Sequence, residues 1–347
     1  MRGDSTRRSH LVACWLTGSL FIAIAASAQT NTPAAKPNRQ LERLKRWLAA
    51  PDVATRSDAV RELTELRSPE AFTLLLQAAK DPSPEVRGPL AWSLKNYSDP
   101  RATATLKRLL RDEDDRVRAS AVWSLSNAKE KSALPDIMRL AREDPSGVVR
   151  FRAVWGLGIL KDKAALPVVI DAIGDYNVSV RERSVVLALE ALADKSATKQ
   201  LLRQTNNVLP ESRRVLMYLF SRYNDGSALP ALKIALRDAD PTVRGEAALS
   251  LGKLRARAAL PELQTMLKDA DDHVRGSAAH AIGLIGDTAA RPALQPLLKD
   301  ESAFVRAVTA EALQMLGDKS VQPPKGFKAA ELFTFPIYSP DQVELFR

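Results

Sequence analysis

Three tryptophans recur at a nearly fixed interval. Trp92, Trp123 and Trp155 stand 31 and 32 residues apart in a 347-residue chain whose aromatic content is only 5%. An indole offers a broad apolar face, a π-cloud that attracts cations and one N–H donor. Residues of this type, regularly spaced, suit the gripping of a partner better than the turnover of a substrate. Phe151, Arg152, Arg183, Arg214, Tyr218 and Arg222 lie near the same register, and His280 continues the interval. These residues, with the three tryptophans, form the candidate partner-binding set.

Other side chains with reactive chemistry are few. Cys14 is the only cysteine. His273 and His280 are two helical turns apart, too far for a simple bidentate metal pair, and no third ligand accompanies them. The acidic pairs Asp114-Asp115 and Asp271-Asp272 sit where helices begin, which favours capping and helix-dipole roles over acid–base catalysis. There is no phosphate-cradling glycine loop, no serine elbow and no haem-attachment Cys-x-x-Cys-His. The expectation is a protein without catalytic residues, cofactor or metal site.

The first 28 residues read as a cleaved signal peptide. Arg2, Arg7 and Arg8 precede an apolar run from Leu11 to Ala26, and Ala26-Ser27-Ala28 is a small-residue cleavage site. Thr6-Arg7-Arg8-Ser9-His10-Leu11 resembles a twin-arginine export signal, with His10 in place of the usual Phe; a general secretory route fits equally. Export to the periplasm or medium is therefore expected, with no membrane span after the signal is removed. Cys14 leaves with that segment, so the mature chain holds neither disulfide nor thiolate. Loss of Arg2, Asp4, Arg7 and Arg8 lowers the net charge from +10 to +8. A basic exported protein is drawn to anionic partners, and an anionic envelope polymer is one partner class; nucleic acid is not expected at that address.

The elements that must hold the tryptophans follow from a period. Arg56, Arg87, Arg118, Arg150, Arg181, Arg213, Arg244, Arg275 and Arg306 are spaced by 31 or 32 residues. Six positions earlier stand Asp81, Asp112, Asp144, Asp175, Asp238, Asp269 and Asp300. Four positions earlier stand Asp52, Ser83, Asp114, Ser146, Asn177, Asp240, Asp271 and Ser302, all good N-cap residues. Each arginine thus falls in the first turn of a helix. Val274, Ala278, Ile282 and Ile285 form one apolar stripe, as do Val117, Ala121 and Leu125. Gly286 and Gly317 follow as C-caps. A second helix precedes each cap, often opening at proline: Pro135, Pro167, Pro230, Pro261 and Pro292. Such hairpins cannot bury their faces singly, so they must stack.

The string Asp-Pro-Thr-Val-Arg-Gly-Glu-Ala-Ala-Leu-Ser-Leu-Gly at 240–252 resembles a HEAT repeat of the short bacterial, phycobilin-lyase-like type. The resemblance covers residues 39–318 and implies an all-α, right-handed α-solenoid of nine stacked HEAT-like hairpins. It also implies that the periodic Asp and Arg pair between repeats, and that the later helix of each hairpin lines a concave side. Trp92, Trp123 and Trp155 would then form a ladder along that side, about 10 Å apart. The function so implied is a scaffold that binds a protein partner in the groove. A tetrapyrrole-binding or lyase-like role is the alternative, by analogy of fold alone.

Two repeats depart from the pattern. Ala50 and Thr55 replace Asp and Val in the first. Asn207, Leu209 and Ser212 replace Asp, the cap residue and Val in the sixth, where a bend or wider gap is expected. Residues 29–38 read as a linker. Residues 319–347 form a tail rich in aromatics (Phe327, Phe333, Phe335, Tyr338, Phe346), expected to cap the stack or lie in its groove.

Overall fold

The structure is a computed structural model that describes residues 39–333 except 195 and 208. The expected signal peptide, its Cys14, the linker, and Phe335, Tyr338 and Phe346 of the tail lie outside the described residues.

Residues 39–315 form paired helices, with no strand among the described residues. The first helices of the pairs are Arg39–Leu48, Pro69–Ala78, Pro100–Leu109, Leu134–Glu143, Leu166–Asp171, Ala197–Leu201, Leu229–Ala235, Leu260–Met266 and Arg291–Leu294. The second helices are Val53–Leu66, Pro84–Ser93, Asp115–Asn127, Gly147–Leu160, Val185–Leu192, Pro210–Tyr223, Pro241–Lys253, Asp272–Ile285 and Ala303–Met315. Numbered in chain order, these are repeats 1 to 9 of an all-α solenoid. Each second helix packs on the first helix of its own repeat and on the second helix of the next, except that Pro210–Tyr223 of repeat 6 packs on residues 179–184, just ahead of Val185–Leu192, in repeat 5.

The apolar stripes make the seam. Val117, Ala121, Leu125, Val274, Ala278 and Ile282 have no exposed surface, and neither have Ile137, Leu263 and Leu294 of the first helices. Burial of each such Leu, Ile or Val contributes about 1.5–3 kcal/mol. Small residues bring second helices close. A Cβ added at Gly158 would lie 2.6 Å from the Ala188 Cα, and one at Gly252 would lie 2.6 Å from the Ala281 Cα.

The caps behave largely as their residue types dictate. Asp52, Ser83, Asp114, Asp240 and Asp271 accept backbone N–H groups from the first turn of their helices. Asn177 accepts from Ser179 and Val180. Ser146 and Ser302 make no side-chain cap bond. Their hydroxyls donate instead to the preceding repeat's Asp115 and Asp272, at 2.7 Å.

The periodic arginines and aspartates tie the repeats together. Arg56–Asp81, Arg87–Asp112, Arg118–Asp144, Arg150–Asp175, Arg213–Asp238, Arg244–Asp269 and Arg275–Asp300 are each joined by two hydrogen bonds of 2.7–3.0 Å. The remaining arginine nitrogen donates to carbonyls just ahead of its own helix: Arg150 Nη1 reaches the Asp144 and Pro145 oxygens at 2.8 and 3.1 Å. The aspartate in turn accepts the backbone N–H two residues on, as Asp175 does from Asn177. A guanidinium's rigid fork is thereby satisfied on both sides, which its burial requires.

One rung fails. Asn207 occupies the aspartate register opposite Arg181, and the buried Arg181 Nε has no hydrogen-bond partner among the described residues. The same repeat contains a π-helical stretch, Ser179–Ser184, at the start of its second helix. In repeats 1, 3, 4, 6, 7, 8 and 9 the residue 11 positions after the arginine is left-handed: Arg67, Lys129, Lys161, Asn224, Arg255, Gly286 and Gly317. In repeat 5 it is Ala193, one position later. The wide π turn absorbs one inserted residue, so the helix still ends in phase with its neighbours. In repeat 6, Ser212 replaces the usual valine and donates its buried hydroxyl to the Ile173 carbonyl at 2.6 Å.

Candidate functional site

The second helices of repeats 2, 3 and 4 carry Trp92, Trp123 and Trp155 at one register, each half-buried. The rings do not stand a full repeat apart. Trp92 and Trp123 are stacked, with centroids 5.5 Å apart and planes 10° from parallel. Trp123 and Trp155 follow at 4.8 Å and 45°. The expected spacing of about 10 Å belongs to helix axes; long side chains leaning along the stack close the gap between rings.

Cations lie among the rings. Lys95 Nζ is 4.0 Å from the Trp92 centroid. The Arg152 guanidinium carbon is 5.0 Å from Trp123 and 5.7 Å from Trp155. Burial depresses the pKa of both Lys95 and Arg152. Phe151 is buried and meets Trp155 edge-on at 6.1 Å. The Trp123 Nε1 is buried and has no hydrogen-bond partner among the described residues. Lys95 was not among the expected residues, although its place three positions after Trp92, on the same helical face, was a readable signal.

The other candidates belong to later repeats. Arg183 is half-buried within the π-helical stretch. Arg214 pairs with Glu182 at 3.2 Å, and exposed Arg222 with Glu190 at 2.8 Å, each reaching back one repeat. Tyr218 is half-buried beneath Lys253, whose Nζ lies 5.5 Å from the ring. At the same register as the tryptophans, Val186, Leu249 and His280 are buried.

His280 is covered by the end of the described chain. After the ninth repeat a short helix, Ala329–Leu332, follows, with the Ala329 N–H donating to Glu311 at 2.6 Å. Phe333 then lies 5.2 Å from the His280 ring and 5.8 Å from Phe304. Burial, with the Lys253 charge second, pushes the His280 imidazole down to about 4, so it is neutral at ordinary pH. The structure does not unite His280 with the tryptophans. Among the described residues no group of three or more His, Cys, Asp or Glu could hold a metal ion, and no helix is long and apolar enough to cross a membrane.

Comparison with curated proteins finds no match to the sequence. Among solved structures, human deoxyhypusine hydroxylase in complex with glycerol is 24% identical, with 80% of this chain and 96% of that chain covered, at a TM-score of 0.32. Kap121p is 15% identical at a TM-score of 0.66, over 83% of this chain and 38% of that one. Kap121p bound to the extreme C-terminus of the protein phosphatase Cdc14p is 16% identical at 0.65, over 82% and 38%. This chain therefore spans less than half the length of Kap121p, and the likeness is one of fold. The family described as HEAT repeats matches residues 41–126, 106–190, 134–215 and 228–314, most of the sequence. By its period, its stacked hairpins and this match, the chain belongs to the HEAT-repeat family.

Proposed function

We propose that this HEAT-repeat scaffold is an exported, non-enzymatic protein that binds a protein partner on the face formed by its second helices, with Trp92, Trp123 and Trp155 as the anchor. The observation that supports this reading most is the continuous stack of three half-buried indoles bordered by Lys95 and Arg152. Rigid aromatics beside cations are the side chains that carry most binding energy at protein interfaces. Kap121p, similar in fold, has crystal structures bound to Nup53p and to the extreme C-terminus of the protein phosphatase Cdc14p. Because the indoles stack on one another, their faces are largely spent, which favours a protein contacting ring edges over a flat tetrapyrrole needing open faces. The arginine-led leader supports export.

The test is capture of partners from envelope extract on immobilised mature protein, with the W92A/W123A/W155A variant alongside. A folded variant that loses a band retained by the parent supports the reading; an unchanged set of captured proteins removes it. Edman sequencing of the secreted or periplasmic protein, expected to start at Gln29, tests the export part separately.

A further inference from the structure

A second site lies away from the tryptophans, where repeats 6, 7 and 8 meet the chain's C-terminal segment. A cavity of about 220 Å³ is lined by Arg214, Thr242, Glu246, His273, Ser277 and Phe333, among others. Glu246 is only 9% exposed, and its Oε1 has no hydrogen-bond partner among the described residues. A carboxyl group withdrawn from water in this way lacks the donors it needs.

We propose that this cavity receives a primary alkylammonium group. The Thr242 hydroxyl donates to Asp240, so its oxygen is left as an acceptor beside Glu246. Ser277 supplies a second hydroxyl. Phe333 adds an aromatic ring to the lining, a side chain suited to a cation and its methylene stem. Arg214, the cation in the lining, is already engaged by Glu182 at 3.2 Å, which offsets its charge. Burial pushes the Glu246 carboxyl above its ordinary range against the opposing charges of Lys253 and Arg214, neither of which forms an ion pair with it among the described residues. A compact ammonium delivers three N–H donors from one point, which matches a carboxylate oxygen and two hydroxyls grouped in a small cavity. The group would come from a free small amine or from the tip of a lysine on a protein.

Isothermal titration of the full mature chain with n-butylammonium tests it, with 1-butanol as the neutral isostere and butyrate as the anionic one. Binding on the order of millimolar is expected for so small a ligand. The alcohol and the acid should bind at least roughly tenfold more weakly, the scale of one charged hydrogen bond lost. Glu246→Gln keeps the side-chain shape and removes the charge; with an unchanged circular dichroism spectrum it should weaken n-butylammonium by a similar factor. A capped peptide with one central lysine separates the sources: tighter binding than n-butylammonium assigns the site to a protein lysine, equal or weaker binding to a free amine. Equal affinity for 1-butanol, preference for butyrate, or an unaltered Glu246→Gln variant would each overturn the assignment.

Discussion

Arg150 and Asp175, 25 residues apart in sequence, are joined by hydrogen bonds of 2.7 and 3.0 Å while their side chains are only 4% and 9% exposed. A buried pair of this kind is costly to break from one side, because the partner keeps its charge without compensation. Asp175→Ala should therefore destabilise the chain by about 3–5 kcal/mol. Thermal and urea denaturation would measure it, and a loss below about 1 kcal/mol would contradict the role assigned to these pairs.

The complementary change is Asn207→Asp. By register it places a carboxylate opposite the Arg181 Nε, which has no hydrogen-bond partner among the described residues. Since a charged hydrogen bond contributes about 1.5–3 kcal/mol, the melting temperature should rise. A fall would mean that the π-helical stretch has moved Arg181 out of reach.

Trp123 is the centre of the indole stack and also faces Arg152. Trp123→Ala should cost about 3 kcal/mol, more than Trp92→Ala, since aromatic pairs add about 0.5–1.5 kcal/mol each beyond the area buried. It should also erase the exciton couplet of the indoles in circular dichroism. Persistence of that couplet would place the coupled rings elsewhere.

Acid should unfold the protein in two stages. His280 has a folded pKa of about 4 against an ordinary value of 6.5, so the unfolded chain binds the proton first. Stability is whole above pH 6.5 and falls as pH drops toward 4, by about 3 kcal/mol at most. Asp238 and Asp300, held below the ordinary carboxylate range by hydrogen bonds from Arg213 and Arg275, lose their contribution at still lower pH. A melting-temperature profile from pH 8 to 3 would show both limbs. His280→Phe should flatten the upper limb and leave the lower one.

Two backbone positions give opposite outcomes. Gly252→Val drives a side chain into the Ala281 backbone and should cost about 1–3 kcal/mol. Lys161→Gly relieves a left-handed residue at φ 52° and should stabilise by about 0.5–1 kcal/mol. Denaturation midpoints of both variants would check the signs.

The stack itself was readable because the arginine, cap and aspartate registers each answer to a local physical need repeated in every hairpin. The ring geometry at Trp92, Trp123 and Trp155 was not: their interval follows from the period, but their mutual distances depend on side-chain torsions and on how far neighbouring helices approach. The burial of His280 was hidden for another reason. It depends on Phe333, 53 residues away and outside the period. Ser146 and Ser302 show a third limit, since a hydroxyl fit for capping found an acceptor in the preceding repeat instead. The π-helical stretch left only a 32-residue interval as its trace, one that also occurs between Arg118 and Arg150 without such a stretch.

A one-dimensional array is as cooperative as its weakest coupling. With an amide where the other junctions have a carboxylate, and a first helix of only Ala197–Leu201 on its far side, the boundary between repeats 5 and 6 is the natural breaking point. Pulled from its ends or slowly warmed, the molecule should part there into two blocks before either one melts, and protease cutting near residue 200 should mark the seam.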